Sequence, residues 1–423
     1  MRLNRWLRGT VLLVAVCLSA LCIAWEVVTW RLERDPSSLS ADVSADSFIL
    51  SSDFEEPVSR ARYHLRALMV EGNIPAVAVA VSHRGDLIWS EALGYADVES
   101  RRPANRQTRF RIQSLSKTLT ASALLRLVEV GIIRLESPVQ DYVPSFPAKG
   151  FPITPLHLAS HRSGLRNYRN DLEAATSRHC ASALEGIAPF KDDPLLFAPD
   201  TDSLYSNYGY VLLGAVLEGA SHQPFPDLMR QHVFAPLGMA QTTAFRLAEP
   251  HPLEATAYDF VTPYSSDGSR VRSPAIDFSC KWPSGGFLST ADDMARFAAA
   301  HSLYTAVSWL TTQSRARQFT PRTPPHSPMG VGLGWLVGRD WRLRRVVFNF
   351  GAGSGGRAFL ALYPGEDVAV AVLANLGHAR MDMRRLIGIA TPFLRPTRAP
   401  APEVASLLIG IAWVWWLRRR YWA

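Results

Sequence analysis

Runs with the period-two, β-branched character of strands occur near the two ends of this 423-residue chain and nowhere between. On the N-terminal side they cover residues 77–81 and 87–93, joined by the turn SHRGD; on the C-terminal side they cover 332–337, 345–350, 359–362 and 368–373. The stretch 132–325 between them carries many prolines and reads as helices and loops. A strand must bury its apolar face against partners, so the two groups are expected to share one sheet. The expected fold class is α+β: an antiparallel sheet of N- and C-terminal strands, flanked by helices such as 55–71 and 117–130, with a mainly helical region inserted.

One motif points elsewhere at first sight. Gly351-Ala352-Gly353-Ser354-Gly355-Gly356 matches the dinucleotide fingerprint G-x-G-x-x-G. That fingerprint has physical meaning only where a strand runs into the glycines and a helix leaves them, because the helix N-terminus holds the pyrophosphate. Here a strand leads in, but two further β segments joined by Pro-Gly-Glu-Asp follow. The glycines therefore sit in an antiparallel meander, and no nucleotide or other cofactor is expected.

Two other short motifs carry chemistry. Ser114-x-x-Lys117 stands at the start of the helix 117–130, so both side chains share one face near a helix N-terminus that favours developing negative charge. A serine hydroxyl needs a neighbouring base to become a nucleophile, and a desolvated lysine can be that base, whereas arginine does not deprotonate. The choice is informative in a chain with four lysines (Lys117, Lys149, Lys191, Lys281) among 45 basic residues. The second motif is Tyr205-Ser206-Asn207, a loop tyrosine able to act as acid or base where cations lower its pKa, beside an asparagine able to hold a substrate amide.

Taken in order, these motifs resemble the serine β-lactamase and penicillin-binding-protein superfamily, in particular its class C branch and the mitochondrial β-lactamase-like serine proteins. The stretches ITPLHLASHRSGL (153–165), FAPLGM (234–239) and GGFLSTADDMARFA (285–298) are similar to the connecting segments of that family, and the similarity covers residues 58–380. The resemblance implies that Ser114 is the acyl-accepting nucleophile, Lys117 its proton partner and Tyr205 the group that passes a proton to the leaving amine or alcohol, with Asn207 holding the substrate acyl amide. It also explains the glycines. The family's third motif, Lys-Thr-Gly or His-x-Gly on the strand bordering the site, falls on Asn349-Phe350-Gly351. Gly351 is expected to permit close approach of a substrate backbone, and the amide of Ala352, with that of Ser114, to form an oxyanion hole. Asn349 departs from the family pattern, since it brings no charge to a substrate carboxylate or to Tyr205. Hydrolysis of a small-molecule or peptide substrate, an amide or an ester of the D-Ala type, is thus expected ahead of true β-lactam turnover; the alternative is an inactive relative that binds cell-wall fragments or a protein partner.

Other features fit structural roles. His157 and His161 have the spacing of a helical zinc pair, but no Glu follows His157 and no third ligand is evident, so no metal site is expected. Asp292-Asp293 after Ser289-Thr290 reads as a helix cap. No G-x-S-x-G occurs, which argues against an α/β-hydrolase elbow. The net charge of +8 is spread over scattered arginines rather than a basic stripe, so nucleic acid is not an expected partner. Cys180 and Cys280 are the thiols outside the N-terminal segment, and a disulfide between them is left open.

Arg2, Arg5 and Arg8 precede residues 9–25, which are uncharged, the pattern of an uncleaved signal anchor. Residues 405–417 are also uncharged, rich in tryptophan and followed by Arg418-Arg419-Arg420, and suit an interfacial anchor or a short span. The expected organisation is an N-terminal membrane anchor (1–30), a polar linker (31–57), a hydrolase domain (58–385), a second linker (386–404) and a C-terminal aromatic segment (405–423). With the basic clusters on the cytoplasmic side, the domain is expected to face the periplasm from the inner membrane.

Overall fold

Strand β2 (Ala76–His83) alternates alanine with valine, and the alternation decides which layer each face meets. Ala76, Ala78 and Ala80 join one apolar cluster, while Val77, Val79 and Val81 join another on the opposite face. Both faces being covered, the strand is buried along nearly its whole length, as strands with near-continuous apolar character are. The computed structural model in which this is seen describes residues 46–395, apart from 262–268, 303–308, 324–328 and 341.

The sheet has nine strands among the described residues. From the N-terminal part come β1 (Asp46–Ile49), β2, β3 (Asp86–Asp97) and β4 (Arg102–Pro103). From the C-terminal part come β5 (Gly330–Val331), β6 (Leu336–Arg339), β7 (Arg345–Gly353), β8 (Gly356–Tyr363) and β9 (Val368–Ala374). The order is β1-β3-β2-β9-β8-β7-β6-β5, all antiparallel, with β4 on the far end of β3. The seam between the two halves is β2 against β9, in the register Val79 to Val372. An antiparallel sheet from both chain ends is thus what forms.

The alanine face of β2 and β9 admits helix α4 (Ala291–Ala299) and, beyond it, the helical insertion with α2 (Ser116–Glu129) and α3 (Asn207–Ser221). The valine face is covered by α1 (Glu55–Glu71) and α5 (Met383–Ala390), which pack together and share the Arg385–Glu71 ion pair at 2.6 Å.

Three boundaries differ from those expected. Residues 46–57 are not linker: β1 pairs with β3, and α1 starts at Glu55. Ser47 there has work in the fold, since it reaches Glu91, a carboxylate only 1% exposed that also pairs with Arg62 of α1. The C-terminal linker also starts later, because Leu386 and Ile389 of α5 are buried and Phe393 stacks on Trp89 at 6.1 Å. The strand expected over 332–337 is split into β5 and β6 around a turn at Gly334, whose φ of 75° carries the chain against Lys117 and Ala121 of α2. Both expected membrane segments, 1–30 and 405–423, lie outside the described residues, among which no helix is long and apolar enough to cross a membrane.

Cys180 and Cys280 form a disulfide that closes a loop of 100 residues. Because such a bridge restricts the unfolded chain, replacing both cysteines by serine is expected to cost about 2–5 kcal/mol, read as a lower urea midpoint.

Candidate active site

Ser114 stands in a single 3-10 turn, Gln113–Leu115, immediately ahead of α2. Gln113 adopts a left-handed φ of 50°, a conformation that costs a non-glycine residue about 1–3 kcal/mol. The surroundings hold it there: its Nε2 donates to the Ser354 carbonyl at 2.8 Å, tying the turn to the hairpin of β7 and β8. Ser114 is left half-buried on the wall of a cavity of about 880 Å³.

Lys117, one turn along α2, is 1% exposed. Its Nζ lies 3.0 Å from Ser114 Oγ, 2.7 Å from Asn207 Oδ1 and 2.6 Å from the Ser284 carbonyl oxygen. Burial holds its pKa well below the ordinary lysine value. A neutral amine has two N–H donors and one lone pair. Asn207 Oδ1 and the Ser284 carbonyl only accept, so they take the two donors, and the lone pair is left for the Ser114 hydroxyl.

Tyr205 Oη is 2.7 Å from Ser114 Oγ, and its ring lies 4.9 Å from Lys117 Nζ. The residue is 46% exposed, but the groups packed around it push its pKa up to about 12 by desolvation, against a smaller downward pull from the Ser114 hydrogen bond. The absence of a charge at Asn349 left no cation on that strand to lower this pKa, and it is raised.

Asn207 N and Nδ2 both donate to Asn167 Oδ1 at 3.0 Å, which fixes the amide so that Oδ1 faces Lys117. One Nδ2 proton remains for an acyl carbonyl in the cavity, which Asn207 lines. Asn349 also lines it, but Nδ2 donates to the Gly334 carbonyl at 2.9 Å and Oδ1 accepts from Phe350 N at 2.7 Å. Ala352 is exposed on the same wall, two residues before the Ser354-Gly355 turn of the β7–β8 hairpin. The six-residue glycine motif is this hairpin, with Gly355 at a φ of 72°.

Gly351 does something other than expected. It is buried, and a β-carbon there would lie 2.1 Å from the Ile112 carbonyl oxygen. The missing side chain makes room for the protein's own backbone two residues before Ser114, not for a substrate. Gly351→Ala should therefore destabilise the fold by about 1–3 kcal/mol, seen as a drop in melting temperature.

Four groups around Ser114 had no legible role in the sequence. His161, weighed only as half of a metal pair, has its ring 4.6 Å from that of Tyr205, and its Nδ1 accepts from Ser206 N at 3.2 Å. Burial, helped by Lys117, pushes its pKa down to about 3, so it stays neutral and acts as a spacer that positions Tyr205. Asn167, the Ser284 carbonyl and Asp259, which holds the hairpin turn through Ser354 Oγ at 2.6 Å, complete the set.

Residues 61–390 match the family model described as Beta-lactamase. Over 321 residues the chain is 32% identical to the mitochondrial serine beta-lactamase-like protein LACTB of Mus musculus, covering 58% of this chain and 57% of that protein. The chain thus spans little more than half the length of this relative. Over 302 residues it is 30% identical to Esterase EstB of Burkholderia gladioli, covering 62% of this chain and 71% of that one. A D-stereospecific amidohydrolase from Streptomyces sp. shares the fold, with a TM-score of 0.66 at 21% identity over 79% of this chain and 98% of the other. Since the family match runs through every side chain that surrounds Ser114, the chain belongs to the beta-lactamase family.

Proposed function

We propose that this protein is a serine hydrolase that cleaves esters or amides through an acyl-enzyme on Ser114. The observation that carries the reading is Lys117 Nζ, 3.0 Å from Ser114 Oγ and held by two neighbours that only accept, which in the neutral amine leaves its lone pair for the serine. In acylation Lys117 takes the Ser114 proton while Oγ attacks the substrate carbonyl. The amides of Ser114 and Ala352 would hold the resulting oxyanion. As the intermediate collapses, the bond to the leaving alcohol or amine breaks and Tyr205 supplies its proton. The proton held by Lys117 then replaces the one Tyr205 gave up. Water repeats the sequence on the acyl group and returns the proton to Ser114.

The leaving group is read as one without a carboxylate. Asn349 is neutral and its amide is engaged with Gly334 and Phe350, so β7 offers no cation beside the scissile bond. Phe350, Trp335 and Leu336 line that side of the cavity instead. The esterase and amidohydrolase among the similar proteins support an ester or amide ahead of a β-lactam. Tethering to the inner membrane, with the domain in the periplasm, is part of the same proposal; it is supported by the basic-flanked apolar segment at 9–25 and by the disulfide, which suits an oxidising compartment.

The test is the intact mass of the full chain in detergent after exposure to a fluorophosphonate and, separately, to a penicillin. A single fluorophosphonate adduct on Ser114, with little from the penicillin, is expected. No adduct from either on folded protein would turn the reading to an inactive binder. The pH profile supplies a second check. Because acylation needs neutral Lys117, kcat/KM should rise with pH and level off well below 10.5, then fall only as Tyr205 loses its proton near about 12.

A further inference from the structure

The cavity around Ser114 has a cation that the chemistry above does not use. Lys281 lines the same cavity, at the end of the 3-10 turn Ser279–Lys281, and is 8% exposed. Its ammonium donates to the Ala174 carbonyl and lies 4.9 Å from the ring centroid of Phe278. Among the described residues it has no carboxylate within ion-pair distance, so two of its three donors are uncommitted. Asp277, the nearest acid acting on it, is occupied by His179 Nδ1 at 2.9 Å and by Ser279 N at 2.8 Å. Burial pushes the Lys281 pKa down to about 8, with Asp277 opposing, which leaves it mostly charged at neutral pH.

The position is also a built one. The Lys281 carbonyl accepts from Ser284 Oγ at 3.1 Å, the neighbouring Cys280 is bridged to Cys180, and the Ser284 carbonyl in turn holds Lys117. Lys281 is therefore indexed to the acylating centre through three residues of chain. Behind it lies a smaller cavity of about 150 Å³, which shares Lys281 and Tyr168 with the main one. Of the other basic groups on the main cavity wall, His161 is kept neutral by burial and His378 stands on a different segment, and no arginine lines it among the described residues.

We propose that Lys281 is a specificity-determining residue that binds a carboxylate on the acyl part of the substrate, several bonds from the scissile carbonyl. This rests on the acyl-enzyme reading. If Tyr205 protonates the leaving group, that group occupies the side of residues 203–205, and the wall of Phe278, Lys281 and Ala174 is left for the acyl chain. The substrate class is a half-ester or half-amide of a dicarboxylic acid, or an acyl group bearing a remote acid. Asp171 on the same wall is a repelling charge such a substrate would have to pass.

The test compares kcat/KM for the p-nitrophenyl half-ester of adipic acid with that for neutral p-nitrophenyl hexanoate, using the full chain in detergent. Wild type should prefer the half-ester. Lys281→Met should lower that preference by about 10- to 100-fold, and Lys281→Arg should restore part of it. Lys281→Gln, which keeps a donor for the Ala174 carbonyl, covers the case in which methionine disturbs the fold. A wild type without preference, or a ratio that none of the variants moves, overturns the assignment of Lys281 alone. Labelling of Ser114 by a neutral fluorophosphonate reports the acylating groups separately: if wild type is not labelled, the hydrolase reading itself has failed and Lys281 goes with it.

Discussion

Ser114→Ala should lower ester or amide hydrolysis by at least about 10³-fold, with the fold retained. The size follows from the bond that is lost. Without Oγ there is no acyl-enzyme, and the remaining groups act only by binding and by polarising the carbonyl, which leaves a small residual rate. The fold should survive because Ser114 is half-buried and its hydroxyl bonds only Lys117 and Tyr205, both of which keep other contacts. Purified variant and wild type should melt at similar temperatures while differing in kcat. A variant with near wild-type kcat would place the nucleophile elsewhere.

Lys117→Met should lower kcat by about 10²–10⁴-fold, the usual worth of a positioned base, and it should change stability in the opposite sense at low pH. In the unfolded chain Lys117 titrates in the ordinary lysine range, whereas burial in the folded protein holds it well below 10.5. Between those two values the unfolded chain binds a proton that the folded chain lacks. Lowering the pH therefore favours unfolding, and raising it toward the unfolded value stabilises. Methionine removes this component. The variant's stability relative to wild type should be greatest at low pH and decline as pH rises, offset throughout by the unsatisfied Asn207 Oδ1 and Ser284 carbonyl. Urea titrations across the range would show it. A difference that did not vary with pH would mean that Lys117 is charged in the folded state.

Much of this site was legible because it is written in side chains at fixed short spacing. Ser114 and Lys117 share a helical turn, so their meeting follows from the helix alone; the sheet from both chain ends followed from where β-branched periodicity appears. What stayed hidden was set by tertiary contact. The Ser284 acceptor is a backbone carbonyl, which every residue has. Asn167 matters only because its loop brings it under Asn207, and His161 because burial makes a potential base into a neutral spacer. Gly351 was assigned to the substrate because nothing in a sequence tells which backbone will use the space a glycine leaves. The strand at residues 46–49 was missed for a related reason: its four residues are part exposed and carry no alternation until β3 offers them a partner.

The seam of β2 against β9 also sets a schedule. Ala76 N donates to Asn375 Oδ1 across 299 residues of sequence, and the strands on either side of that bond complete each other's hydrogen bonding. A chain emerging from the ribosome therefore carries β2 and β3 as an unpaired apolar hairpin through the whole synthesis of the helical insertion, and the Ser114 turn lacks its hairpin clamp until Ser354 has appeared. Contacts of such sequence separation form slowly and leave sticky edges open meanwhile. Nascent chains stalled before residue 374 should be protease-sensitive throughout, a demand for chaperoning that is built into the order of the strands.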